Sequence, residues 1–122
     1  MKNEHEIMAR DTASYLPVFS RYPIVLDHGD GSYVWDLNGR KYLDALGGIA
    51  VNVLGHNYAP LVEAIADQAK RLIHVSNLYY TEPQADAAAK LSRLTADGKV
   101  FFGNSGAEAN EGAIKAARKY GH

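Results

Sequence analysis

Val100-Phe101-Phe102-Gly103-Asn104-Ser105-Gly106-Ala107-Glu108-Ala109 is the stretch on which the fold of this 122-residue chain turns. Val100 to Phe102 is apolar at every position, the pattern of a strand buried on both faces of a parallel sheet. Gly103-Asn104-Ser105-Gly106 reads as a tight turn, and Ala107 to Tyr120 as a helix closed by Gly121. Strand, turn and helix in that order make an α/β unit. Ser105 and Glu108 stand in the S-x-x-E spacing of a capping box, which satisfies free amides at a helix start without any ligand. The same geometry also suits an anion. A buried strand leads to the sheet edge where ligands of open α/β sheets bind. Gly106 and Ala107 leave their amides approachable, and the helix dipole favours negative charge. Ala109, Gly112, Ala113 and Ala116 are small enough to let the helix sit close to whatever it packs on.

Working outward, two helices precede this unit. Pro60 opens the first, with Leu61, Ile65, Ala69 and Leu72 on one apolar stripe that ends near His74. The second starts after Thr81, whose hydroxyl is placed to cap it, and runs to Asp97-Gly98. Earlier still lies Gly47-Gly48-Ile49-Ala50-Val51-Asn52-Val53-Leu54-Gly55-His56-Asn57, apolar yet broken by glycines, as in a loop where backbones or a ligand approach closely. Before it, Asp30-Gly31 separates Ile24-Val25-Leu26 from Tyr33-Val34-Trp35, and Asn38-Gly39 separates that run from Lys41-Tyr42-Leu43. Both dipeptides supply the positive φ of tight hairpin turns, so this is an antiparallel meander. Glu4 to Ser14 reads as a short helix ended near Pro17. The composition changes near Gly47-Gly48, which divides the chain into 1–48 and 49–122.

Composition removes several classes of function. A formal net charge of −1 argues against nucleic acid or anionic membrane as the main partner, since both call for a basic face. The absence of cysteine excludes disulfides and thiolate chemistry. Met1 to Arg10 is too charged for a signal peptide, and no apolar run reaches the roughly 18 residues of a membrane span. A cytoplasmic location follows as the plain expectation. His5-Glu6 begins like a zinc helix motif, but Ala9 stands where the second histidine belongs. The other histidines (His28, His56, His74, His122) are scattered, and no metal site is expected. Gly29-Asp30-Gly31 lies in a hairpin rather than before a helix, and so is no dinucleotide fingerprint.

Phe101 to Tyr120 resembles the phosphate-cup segment of the class III aminotransferases of fold type I. Other blocks resemble the same family in the family's order: Gly29-Asp30-Gly31 to Asp36, Asn38-Gly39-Arg40-Lys41-Tyr42-Leu43-Asp44, Gly47 to Asn52, Leu54-Gly55-His56, and Ser76-Asn77-Leu78-Tyr79-Tyr80. Gly47-Gly48-Ile49 and Asn110-Glu111 look most like the acetylornithine aminotransferases; ornithine aminotransferases tend to carry tyrosine where Ile49 stands.

The resemblance implies an α/β fold, with the N-terminal arm and meander (1–48) in a small domain and 49–122 opening a large domain with a mixed, mostly parallel sheet. It implies that the amides of Gly106 and Ala107, helped by Ser105, hold the phosphate of pyridoxal 5'-phosphate. Ile49, Ser76 and Asn77 would lie near the active site at a homodimer interface. The implied reaction moves an amino group between N-acetylornithine and 2-oxoglutarate, in arginine biosynthesis. Another class III donor (ornithine, succinylornithine or 4-aminobutyrate) and a non-catalytic phosphate- or partner-binding fragment are the alternatives. In the family the cofactor-anchoring lysine, the aspartate at the pyridine nitrogen and the arginine for the substrate carboxylate lie further along. None of the lysines here has the right context, so no catalytic residue is expected in this chain, which is read as an inactive N-terminal part.

Overall fold

The computed structural model describes residues 3–121, arranged as two compact units that divide between Ile73 and His74. Met1 and Lys2 of the charged N-terminal segment, and His122 among the scattered histidines, lie outside the described residues.

In the first unit, α1 (Glu4–Ser14) matches the expected helix. Asn3 caps it through its side chain, which accepts from the His5 amide at 3.0 Å. The meander follows as β1 (Leu26–Asp30), β2 (Tyr33–Asp36) and β3 (Lys41–Leu43), antiparallel and in sheet order β1-β2-β3. Asp30 pairs with Tyr33, so the first turn is Gly31-Ser32, and only Gly31 (φ +54°) and Gly39 (φ +80°) supply positive φ in the two hairpins. The first strand begins at Leu26 rather than Ile24, and within it the register slips between Leu26 and His28, leaving Asp27 as a bulge. Alternation places Val34, Asp36 and Tyr42 on one face, and Tyr33, Trp35, Lys41 and His28 on the other. Trp35 stacks on His28 at 5.0 Å, and Lys41 Nζ sits 3.9 Å from the Tyr33 ring centre.

Val34 and Asp36 are the buried residues among those described. Asp36 organises the second hairpin. Its Oδ1 accepts from the amides of Asn38 and Arg40, both at 2.9 Å, and its Oδ2 accepts from the Tyr42 hydroxyl at 2.7 Å. The Tyr42 bond, followed by those amides, holds the Asp36 carboxyl below the usual range, and the same bond pushes the Tyr42 phenol up.

The glycine-rich stretch, expected as a loop where backbones or a ligand approach closely, does bring backbones together, Gly55 against Gly31, but is not wholly irregular. It contains a short element, α2 (Gly47–Ala50), whose four residues all have positive φ, from +53° to +64°. A long amphipathic helix, α3 (Ala59–Arg71), completes this unit, with Pro60 in its first turn as expected.

In the second unit, α4 (Glu82–Leu94) starts after Thr81, but the Thr81 side chain makes no capping bond. α5 (Gly106–Tyr120) begins one residue earlier than its sequence predicts, and Gly121 ends it in a right-handed conformation rather than the left-handed one of a glycine cap. The larger correction concerns Val100–Phe102, which forms no strand. A strand is defined by its neighbours, and no described segment offers this one a ladder. Phe101 instead lies on α5, where a β-carbon added at Gly112 would come within 3.0 Å of its ring. Gly112 of α5 therefore has a partner. Among the described residues, no helix is long and apolar enough to cross a membrane.

Candidate phosphate and substrate site

Ser105 stands at the N-cap of α5 with extended backbone, and its Oγ accepts from the Glu108 amide at 3.2 Å. The reciprocal half of the capping box is displaced by one residue: Glu108 Oε2 accepts from the amide of Asn104, not of Ser105. This pair tightens the turn, since a β-carbon at Gly103 would lie 3.3 Å from the Glu108 side chain. The amides of Gly106 and Ala107 make no hydrogen bond to any described residue. A β-carbon at Gly106 would meet nothing within 4 Å. The start of α5 thus presents two free donors in open space at the positive end of a 15-residue helix. A dianionic phosphate matches that donor set in charge.

Ser76 and Asn77 belong to the same unit. Ser76 has φ +63°, its amide donates to His74 Nε2 at 3.1 Å, and its Oγ accepts from the Leu78 amide at 3.3 Å. Asn77 lines an open concavity with Phe101, Gly103, Asn104 and Glu108, whereas Ser76, Ser105, Gly106 and Ala107 are not in its wall. Asn77 is thereby brought beside the turn that leads to α5.

Ile49 lies in the first unit, 80 % exposed on the left-handed turn α2. A β-branched residue at φ +61° is a genuine backbone outlier, costing about 1–2 kcal/mol. Such a conformation persists only when its surroundings over-determine it. The surroundings are specific. Asp44 Oδ1 accepts from the amides of Leu46 (3.1 Å) and Gly47 (2.9 Å), and its Oδ2 lies 2.7 Å from His56 Nε2. Asn52 Nδ2 lies 3.1 Å from His56 Nδ1; in the tautomer where it donates there, the ring proton sits on Nε2 and points to Asp44. The backbone of His56 exchanges two hydrogen bonds with Gly31, at 2.8 and 2.9 Å. The bond from His56, ahead of that from the Gly47 amide, keeps the Asp44 carboxyl below its ordinary range.

The clasp of Asp44, Asn52 and His56 is what the sequence reading misses. His56 counts there among scattered histidines, although Asn52 and His56 are four residues apart and Asp44 follows a strand. That spacing is the one signal available.

Residues 16–122 match the family described as aminotransferase class-III. The chain is 58 % identical over 105 residues to the acetylornithine aminotransferase of Caldanaerobacter subterraneus subsp. tengcongensis, covering 86 % of this chain and 27 % of that protein. Among solved structures it is similar to acetylornithine aminotransferase from Elizabethkingia anophelis, with a TM-score of 0.91 and 35 % identity, covering 98 % of this chain and 31 % of that one. It is also similar to the ornithine aminotransferase of Toxoplasma gondii, described with partial occupancy of PLP at its active site, with a TM-score of 0.90 and 31 % identity over 98 % of this chain and 28 % of that one. The chain therefore spans about a quarter to a third of the length of these relatives.

Proposed function

Because this chain belongs to the class III aminotransferases, we propose that the whole protein transfers an amino group between N-acetylornithine and 2-oxoglutarate, using pyridoxal 5'-phosphate, as a step of arginine biosynthesis. In this reading it is a cytoplasmic homodimer. Residues 1–48 contribute to its small domain, and 49–122 open its cofactor domain. The observation that carries the cofactor assignment is the pair of unpartnered amides at Gly106 and Ala107 at a helix start. The name and identity of the Caldanaerobacter relative support the choice of donor.

Gly106 and Ala107 hold the phosphate through their amides. The Ser105 oxygen already accepts from Glu108, which leaves its own proton free to donate to a phosphate oxygen. Glu108, bonded to the Asn104 amide, fixes the turn so that these donors keep their aim without reorganising. The bound cofactor supplies the electron sink that makes proton removal from the donor carbon feasible. Ile49 offers an aliphatic wall to the donor side chain, and Ser76 and Asn77 border the active site.

The test is a comparison of kcat/KM in the full-length protein for N-acetylornithine, succinylornithine, ornithine and 4-aminobutyrate, with 2-oxoglutarate as acceptor. N-acetylornithine is expected to exceed ornithine by about tenfold or more, the scale on which pocket shape discriminates. A higher value for ornithine would move the protein to the neighbouring specificity.

A further inference from the structure

The left-handed turn α2 needs something to hold it, and the clasp described above grips it at both ends. At the entrance, Asp44 Oδ1 accepts from two successive amides, Leu46 and Gly47. At the exit, the amides of Val51 and Asn52 both donate to Gly47 O, at 3.0 and 2.8 Å, and the Asn52 side chain reaches His56. His56 joins the two ends through its 2.7 Å contact with Asp44. It is itself fixed to the first hairpin by its paired backbone bonds to Gly31. The packing there is tight. A β-carbon at Gly55 would stand 2.8 Å from Gly31 O, and one at Gly29 would stand 2.5 Å from His56 Cγ. Both clasp side chains are largely covered, with 28 % of His56 and 16 % of Asp44 exposed, while Ile49 is 80 % exposed. The strain thus sits beneath a presented side chain, with its restraint behind it.

We propose that Asp44 and His56 are positioning residues, which hold the left-handed turn and thereby set the donor-binding position of Ile49. The consequence for the donor rests on the assignment of Ile49 to the donor pocket made above; the restraint of the turn does not.

Two measurements on the full-length enzyme separate these parts. The first is amide hydrogen exchange at Val51 and Asn52, whose donors close the turn. In His56→Ala, and in Gly29→Ala, which displaces the ring without deleting any clasp group, exchange at these amides should rise by about tenfold or more. The β2–β3 ladder should be unaffected. His56→Gln, which keeps a donor toward Asp44, should restore much of the protection. The second is steady-state kinetics. The KM for N-acetylornithine should rise by about tenfold in His56→Ala and Gly29→Ala, and kcat and pyridoxal-phosphate affinity should change much less. Unchanged exchange in both variants overturns the clasp. Faster exchange with an unchanged donor KM overturns the donor role of Ile49 and leaves the restraint standing. A uniform loss of kcat, donor binding and cofactor binding that Gln does not rescue identifies a purely structural network and overturns the proposal.

Discussion

Gly106 has open space where a β-carbon would stand, and its φ lies outside the left-handed region. Gly106→Val should therefore leave the apo fold nearly as stable while its branched side chain crowds the phosphate. Pyridoxal-phosphate affinity is expected to fall by about tenfold or more, ~1.4 kcal/mol, with the apo melting temperature almost unmoved. Absorbance titration beside a thermal melt checks this, and an unchanged affinity removes Gly106 from the site. Asp36 and Tyr42 make a different kind of prediction. Asp36 titrates lower when folded, so its contribution is present above the unfolded aspartate value and is lost as pH falls through the folded one. Tyr42 titrates higher when folded, so its contribution is present below the unfolded tyrosine value and is lost as pH rises through the folded one. The stability gap between the full-length protein and its Tyr42→Phe variant should be widest between roughly pH 4 and pH 10, and should narrow on either side. Thermal melts across that range test it; a gap independent of pH excludes the Asp36–Tyr42 bond as its source.

At the scale of elements, local chemistry accounts for most boundaries. Asn3 and Ser105 cap their helices with side-chain bonds, Pro60 opens α3, and single glycines turn the two hairpins. Ser105→Ala removes the cap of α5, and is expected to cost the apo protein about 1 kcal/mol, while Ser105→Gly costs only a few tenths. Denaturant melts of the two apo variants distinguish this from a role confined to the phosphate; equal stability in all three proteins would mean that the cap adds nothing. Local chemistry fails at Val100–Phe102. Its apolar run states a preference for burial, but ladder partners have to come from elsewhere in the chain. Thr81 fails for a smaller reason: an N-cap residue is a favourable position for a bond, not a guarantee of one.

Across the molecule, burial is sparse. A self-contained chain of this length would bury roughly two-thirds of its surface, yet Val34 and Asp36 are the residues buried among those described. Leu16, Phe19, Val51, Val53, Ile73 and Phe101 are each at least 70 % exposed. Large uncovered apolar surface favours association. The 122-residue chain expressed alone should therefore scatter light as oligomers or aggregates and melt without a cooperative transition. A compact monomer with a sharp melt would contradict this.

The capped start of α5, the meander and the helices were legible in the sequence because each depends on residues a few positions apart: a cap and its third neighbour, a glycine between two apolar runs, a stripe at helical spacing. The left-handed turn under Ile49 was not, because nothing in Gly47-Gly48-Ile49-Ala50 requires a β-branched residue to take positive φ. That conformation is imposed from Asp44, His56 and Gly31, which the chain brings together only by folding the loop back onto the first hairpin. Strain is a property of the restraint rather than of the strained residue, so tertiary structure alone decided where it would lie.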